Sequence, residues 1–453
     1  MTVLDALGPG GEYRTRKREL IADVSGAPVA EMTVVPPLYV ARAVNAQRKT
    51  RPLPIAEREA ALARAAKMFL SDEIAGLDFD RYVDVTSRVS GLPIAVTRAG
   101  ARSVADQVSS MSVQPAQPRG AERDWRAIPN GGAVWARRGE VFVVHASANA
   151  PGVHGLWPQA LSLGYRVAVR PSRREPFTGQ RLITALRESG FRGADVCYLP
   201  TDYTGADEII RAADLAMVYG GQDVVDKYSV DPTVWVNGPG RAKILLTAEQ
   251  DWRDHLDLIV ESICTFGGTA CVNATAVLIE GSRDRATALA EAIAVRLSSL
   301  PALPISDEEA LLPVMSTAAA RTVAEFLGAR AAGTTAVLGA DQVVADLGDG
   351  TAALRPAVHL LAARDTVRLN TELGFPCVWV SPWSRDDGLE PLRGSLVVNA
   401  ITDDEQLVDE LVDEPTIPNV YNGRYPTWFG APHIPHDGFL ADFLMCNKGF
   451  IRG

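Results

Sequence analysis

The sequence predicts an α/β protein of two doubly wound lobes with a cleft between them, and three observations lead to that expectation. From Glu140 onward, short apolar runs alternate with amphipathic stretches of helical period. The runs are apolar on both faces, as strands covered on both sides must be, and such strands join through right-handed crossovers into a parallel sheet. The alternation starts again near Arg241, and 453 residues at roughly 150 per domain allow about two or three domains.

The elements follow in chain order. The first 130 residues are mixed: an Ala/Arg/Glu-rich stretch at 55–70 has helical periodicity, and 114–120 reads as a Pro/Gln/Gly linker. In the first lobe, runs at 141–146, 166–169, 196–199, 215–219 and 234–236 read as strands, with helices at 176–189 and 205–213 between them. The second lobe places strands at 243–247, 274–279, 358–362, 377–380 and 396–398 and an Ala/Leu/Arg-rich helix at 283–300. The expected division is a cofactor-binding domain over 1–238, a catalytic domain over 239–420 and a tail over 421–453. Pro418, Gly423, Pro426, Gly430, Pro432, Pro435 and Gly438 punctuate that end of the chain, which is expected to be mostly loop. There is no internal repeat or low-complexity tract.

Composition excludes several functions. Forty-five basic against 55 acidic residues give a net charge of -10, too acidic for a dedicated nucleic-acid binder. No apolar run approaches the ~18 residues of a membrane span, and the N-terminus lacks the apolar core of a secretory signal, so a soluble cytoplasmic protein is expected. The five cysteines, Cys197, Cys264, Cys271, Cys377 and Cys446, are odd in number and widely spaced, which speaks against a disulfide scaffold or structural zinc. His433, His436 and Asp437 lie close together, but Pro435 breaks the helix that would align the two imidazoles, and no metal site is expected. The GxGxxG, GxxxxGK[ST] and GxSxG motifs are all missing.

Three other segments end predicted strands: Asn149-Ala150-Pro151, Arg170-Pro171-Ser172 and Tyr219-Gly220-Gly221-Gln222. The carboxyl ends of parallel strands are where open α/β sheets bind ligands. With Gly267-Gly268-Thr269-Ala270-Cys271 ahead of the strand at 274–279, this order resembles the aldehyde dehydrogenase superfamily over roughly residues 130 to 400. The segments EPFTGQRLITAL, ADLAMVYGGQDVVDKY, VNGPGRAKILL, GGTACVNATAVLI and PHDGF more closely resemble the acyl-CoA reductase component of the bacterial bioluminescence fatty-acid reductase.

The resemblance implies roles. A cysteine beside Ala and Val is on its own most often a small buried hydrophobe, but Cys271 matches the family nucleophile, whose thiolate attacks a thioester or aldehyde carbon. Asn149 matches the amide that, with the nucleophile's N–H, forms the oxyanion hole. Arg170, Ser172, Arg173 and Arg174 stand where the family holds the adenosine ribose. NAD-using members carry a glutamate there, whereas a guanidinium cluster suits a 2′-phosphate, so NADPH is expected with NADH as the alternative. Gly220 and Gly221, entering a helix, are expected to turn N–H groups toward the cofactor pyrophosphate. Glu372, in Thr371-Glu372-Leu373-Gly374-Phe375-Pro376, matches the family glutamate on the nicotinamide ribose. His436 is a candidate group on the substrate side, and His145 and His154 flank the Asn149 turn.

One departure decides the expected reaction. Hydrolytic family members place a general-base glutamate just before a Gly-Gly pair, where this chain has Val236, Asn237, Gly238, Pro239 and Gly240. The expected activity is therefore NADPH-dependent reduction of an acyl thioester to an aldehyde through a Cys271 thioacyl-enzyme. No ATP-binding signature appears, so an acid-activating or acyl-transferring protein partner is implied, and homo-oligomeric assembly is expected. The rivals are an ordinary aldehyde dehydrogenase forming the acid, and a catalytically silent assembly subunit.

Overall fold

The computed structural model describes residues 1–111, 121–122, 124–431 and 433–453; the linker expected at 114–120 lies outside them. The first main sheet has seven strands in the order Val234–Asn237, Leu215–Tyr219, Val141–His145, Arg166–Arg170, Val196–Tyr198, Ala6–Gly8 and Gly11–Tyr13. The first five are parallel, and the last two form a hairpin antiparallel to Val196–Tyr198.

Strand Val141–His145 shows why the runs read as strands. Val141 and Val143 face one way, against Val40, Ala43 and Val44; Phe142 and Val144 face the other, against Leu62, Ala65 and Phe69. Both sets are buried, so nothing in the run alternates with polar residues. The covering helices show that the first 130 residues are more than the mixed segment expected. They hold the helices Pro37–Arg48, Ile55–Ser71, Phe79–Ser90 and Ile94–Ser110 and a sheet ordered Thr2–Leu4, Pro28–Thr33, Arg18–Ala22. Short three-residue strands and a helix entered at Pro37 leave too little periodicity to read locally.

The chain crosses to the second main sheet between Asn237 and Ala242. Its order is Thr335–Leu338, Ala357–Leu360, Cys377–Trp383, Ala274–Glu280, Ala242–Leu246, Val397–Ile401 and Asn419–Asn422, with only the first antiparallel to its neighbour. Helix Arg283–Ser298 covers one face through Ala286, Leu289 and Ile293, packed on Val277, Ile279, Val378 and Val380.

The tail is rich in turns and also holds regular elements. After a turn-rich stretch, helix Leu440–Leu444 leads into strand Met445–Ile451, which pairs antiparallel with Gly131–Arg137 over seven positions. That partner lies about three hundred residues upstream, and MCNKGFI has little apolar continuity of its own, so no local pattern marks it. Leu440, Ala441 and Leu444 enter the first lobe's core, and Phe443 packs on Trp235 with centroids 5.5 Å apart. The tail thus runs from the edge strand Asn419–Asn422 of the second sheet back to the first lobe, carrying residues 433–439 across the cleft.

Candidate active site

Cys271 is presented by a loop whose shape is fixed on three sides. Helix Leu256–Cys264 ends in a turn where Phe266, Gly267 and Gly268 take φ of 59°, 71° and 67° in succession. Gly268 has to be glycine twice over, since a Cβ there would also lie 2.4 Å from the Pro376 nitrogen. Asn273 braces the loop from inside: its Oδ1 accepts from the Ala270 N–H at 2.9 Å, and its Nδ2 donates to the carbonyls of Thr265 and Ser262 at 2.8 and 3.1 Å. From above, Gly240 lies on the Cys271 peptide so closely that a Cβ would sit 1.6 Å from the Cys271 carbonyl oxygen. The GGTAC and VNGPG segments therefore form one unit.

Asn149 follows the strand end at His145. Its Oδ1 accepts from the Ser147 hydroxyl at 2.5 Å and its Nδ2 reaches the Thr269 carbonyl at 3.5 Å. The amide donor thus stands at the Cys271 loop.

The tail brings His436 to Cys271, with Nε2 3.3 Å from the Sγ. Asn419 fixes that segment: its Nδ2 donates to the His436 carbonyl and to the Leu396 carbonyl. Burial pushes the thiol up to about 12, and the charges of Glu372 and Asp437 add to the shift. Burial of its ring beside Cys271 also lowers the His436 imidazole, although the residue as a whole is exposed. The resting pair is a thiol beside a neutral imidazole, which has an acceptor nitrogen for the thiol proton. Asp437 and Glu372 are themselves pushed upward by burial.

Glu372 lies in the same cleft, its Oε2 accepting from the Arg241 N–H at 2.8 Å. Arg241 takes φ of 49°, an uncommon conformation for a residue with a side chain, at the crossing between the lobes. Its carbonyl accepts from Lys243 Nζ at 3.3 Å, and that buried ammonium also donates to Asn370 Oδ1 and Ser395 Oγ. Lys243 and Arg241 were not singled out by the sequence, whereas Tyr219 stands in one of the three strand-end segments that were. Lys243 sits in an apolar strand run, and Tyr219 ends another, with the Cys271 and Asp437 charges near enough to raise its phenol further after burial.

At the place of a hydrolytic base, the Asn237 amide is buried with neither Oδ1 nor Nδ2 bonded to protein, and an amide cannot take a proton from water. Val236 offers no base either.

On the first lobe, Arg170 donates from Nε to the Thr201 carbonyl at 3.3 Å, and the Arg174 N–H donates to Ser172 Oγ at 3.2 Å. Arg173 is exposed but engaged by Glu19. The expectation for Gly220 needs correcting: its N–H donates to the Asn237 carbonyl at 3.1 Å and is not turned to a ligand, because the parallel pairing of the two strands continues one residue past Tyr219. Gly221 is the N-cap of helix Gln222–Tyr228.

The remaining candidates are structural. His154 is fully buried and accepts from the Trp157 indole at 3.1 Å; burial lowers it to about 4 and His145 to about 3. Cys197 and Cys377 are buried thiols raised to about 12. Among the described residues no group of three or more His, Cys, Asp or Glu side chains could hold a metal ion, and no helix is long and apolar enough to cross a membrane.

Solved structures share this architecture over almost the whole chain. An indole-3-acetaldehyde dehydrogenase complexed with NAD+ superposes with a TM-score of 0.83 at 16% identity, covering 99% of this chain and 96% of that one. The aldehyde dehydrogenase KauB from Pseudomonas aeruginosa gives 0.84 at 15% identity, with the same two coverages. An NAD-dependent aldehyde dehydrogenase from Sinorhizobium meliloti gives 0.83 at 18%, covering 99% and 94%. At these identities the likeness speaks for the fold alone. No curated protein sequence matches the chain. The aldehyde dehydrogenase family matches residues 16–389, more than half of the chain. The match takes in most strands of both main sheets and the Cys271 loop: the chain belongs to the aldehyde dehydrogenase family of oxidoreductases.

Proposed function

We propose that this chain reduces an acyl thioester to an aldehyde through a thioacyl-enzyme on Cys271, using a nicotinamide cofactor with NADPH preferred over NADH. The observation that carries the reading is the Asn237 amide in place of a hydrolytic base, in a cleft where His436 stands next to the nucleophile.

The donor set suits a dinucleotide. Arg170, Arg174 and Ser172 at one strand end, with Arg173 once Glu19 releases it, fit a ribose 2′-phosphate, the exposed ring of Tyr203 beside them fits a base, and Glu372 in the cleft fits a ribose hydroxyl. When bound, the nicotinamide supplies the hydride. The chain's own residues do the rest. His436 Nε2 takes the Cys271 proton as sulfur attacks the thioester carbon; the carbon–sulfur bond to the carrier breaks, and the carrier thiolate leaves and takes up a proton. Asn149 and the Cys271 N–H donate to the oxyanion formed in between. After reduction the carbon–sulfur bond to Cys271 breaks, the aldehyde leaves, and His436 can return a proton to the sulfur. Without a base aimed at water, the thioacyl bond waits for reduction or for a thiol.

The acid must be activated elsewhere, so an acid-activating or acyl-transferring protein is the proposed partner. Self-association is proposed as well: strand Met445–Ile451 forms a sheet with Gly131–Arg137 and Ala121–Glu122 apart from both main sheets, and Ile451 and Trp125 are exposed on it.

A second reading, oxidation of an aldehyde to its acid, is favoured by one specific feature: His436 could turn its acceptor nitrogen on water once Cys271 is acylated. A time course of aldehyde with NADP, with and without CoA, separates the two. Product formation that requires CoA supports the thioester reading, and rapid formation of free acid without CoA supports the second.

A further inference from the structure

The basic turn after strand Arg166–Arg170 meets a carboxylate from a remote part of the chain. Glu19, in strand Arg18–Ala22 of the N-terminal sheet, engages Arg173 through both oxygens: Oε2 accepts from Nε at 2.9 Å and Oε1 pairs with Nη2. Tyr203 opens helix Tyr203–Ala212 beside this pair and is 75% exposed. The guanidinium carbons of Arg170 and Arg173 lie 5.9 and 6.0 Å from its ring centroid. An open aromatic face, two guanidinium groups and one carboxylate therefore share a strand end.

A guanidinium fork satisfies one planar partner at a time. A ribose 2′-phosphate that uses Arg173 must displace Glu19 and then lie against its charge. A ribose 2′-hydroxyl needs an acceptor, and Glu19 offers one while its pair with Arg173 stays intact. We propose that Glu19 is the residue that sets the preference between NADPH and NADH, competing with a 2′-phosphate for Arg173 and accepting from a 2′-hydroxyl. The inference rests on the cofactor site proposed above.

The test is a titration of the full chain with NADPH and with NADH, followed by cofactor fluorescence, for the wild type, Glu19→Gln, Arg173→Gln and the double variant. Glu19→Gln should raise the NADPH-to-NADH affinity ratio by about two- to fivefold, chiefly by tightening NADPH. In the Arg173→Gln background the same change should move the ratio less than it does in the wild type, because the competition for the guanidinium is gone and only the charge of Glu19 and its acceptor for a 2′-hydroxyl remain. Arg173→Gln alone should weaken NADPH more than NADH. A ratio unchanged by Glu19→Gln, or an equal loss of both cofactors in Arg173→Gln, overturns the role of Glu19 and leaves the cofactor site standing. Failure of the folded wild type to bind either cofactor overturns the site itself.

Discussion

Replacing His436 with asparagine removes the ring nitrogen that stands 3.3 Å from the Cys271 sulfur and keeps a polar side chain in the cleft. Burial, helped by Glu372 and Asp437, pushes the thiol up to about 12, so at pH 8 only on the order of one site in ten thousand is a thiolate. Acylation at that pH therefore depends on a base that takes the proton as sulfur attacks. A positioned base is worth about 10²–10⁴ in rate, so His436→Asn should acylate at least about a hundredfold more slowly. The pH dependence has a definite sign. The working imidazole is neutral and its pKa is lowered by burial, so wild-type acylation should hold down to somewhat below pH 6.5 and fall only beneath that. In the variant the thiolate must form unaided, and the rate should climb about tenfold per pH unit through neutrality. Single-turnover acylation by a labelled acyl-CoA, read by intact-protein mass spectrometry from pH 6 to 9, measures both. A folded variant within about twofold of wild type, with the same profile, would refute the role of His436.

Other expectations follow from the same geometry. Cys271→Ser should fold and lose nearly all activity, whereas Cys446→Ser and Cys264→Ser should change thermal stability more than turnover. Asn237→Glu should raise hydrolysis of the thioacyl-enzyme, by up to about 10²–10⁴ if its carboxylate reaches the thioester carbon through one water; free acid measured after acylation checks this, and no increase in a folded variant would place the lost base elsewhere. Asn149→Ala should cost about 10²–10³ in kcat, as one oxyanion donor typically does, with substrate affinity little changed. Lys243 is held down to about 7 against 10.5 in the unfolded chain, chiefly by burial. The unfolded state therefore binds more protons between those values, and stability should rise with pH across that window, by at most about 1.4 kcal/mol per unit for one proton. Urea midpoints at pH 7 and 9 should show this component in the wild type and not in Lys243→Met.

The central strands of the two main sheets, such as Val141–His145, Leu215–Tyr219, Ala242–Leu246 and Ala274–Glu280, were legible because they are buried on both faces and read as apolar runs, and Cys271 and Asn149 were picked out because glycines and a strand end mark them. The strand Met445–Ile451 was hidden, since its partner Gly131–Arg137 lies far away in sequence. The same distance hides the site's cross-lobe contacts. His436 reaches Cys271 only because the tail returns to the first lobe through Leu440 and Leu444, and Glu19 reaches Arg173 only because a separate N-terminal sheet stands beside it. Gly220 was misjudged for a related reason: whether its N–H faces a ligand depends on the register with Asn237, which composition does not encode. Lys243 reads as an intrusion into an apolar run until Asn370 and Ser395 are seen to meet it.

On this mechanism Cys271 carries an acyl group that water does not remove. Loading the full chain with a labelled acyl-CoA in the absence of reduced cofactor, removing free ligand and following the protein-bound label by mass spectrometry tests it directly. The label should sit on Cys271, persist in buffer, move to added CoA, and leave as aldehyde when NADPH is supplied. Rapid loss of the label to free acid in buffer alone would contradict this and identify the chain as a hydrolytic aldehyde dehydrogenase whose base stands at a position other than 237.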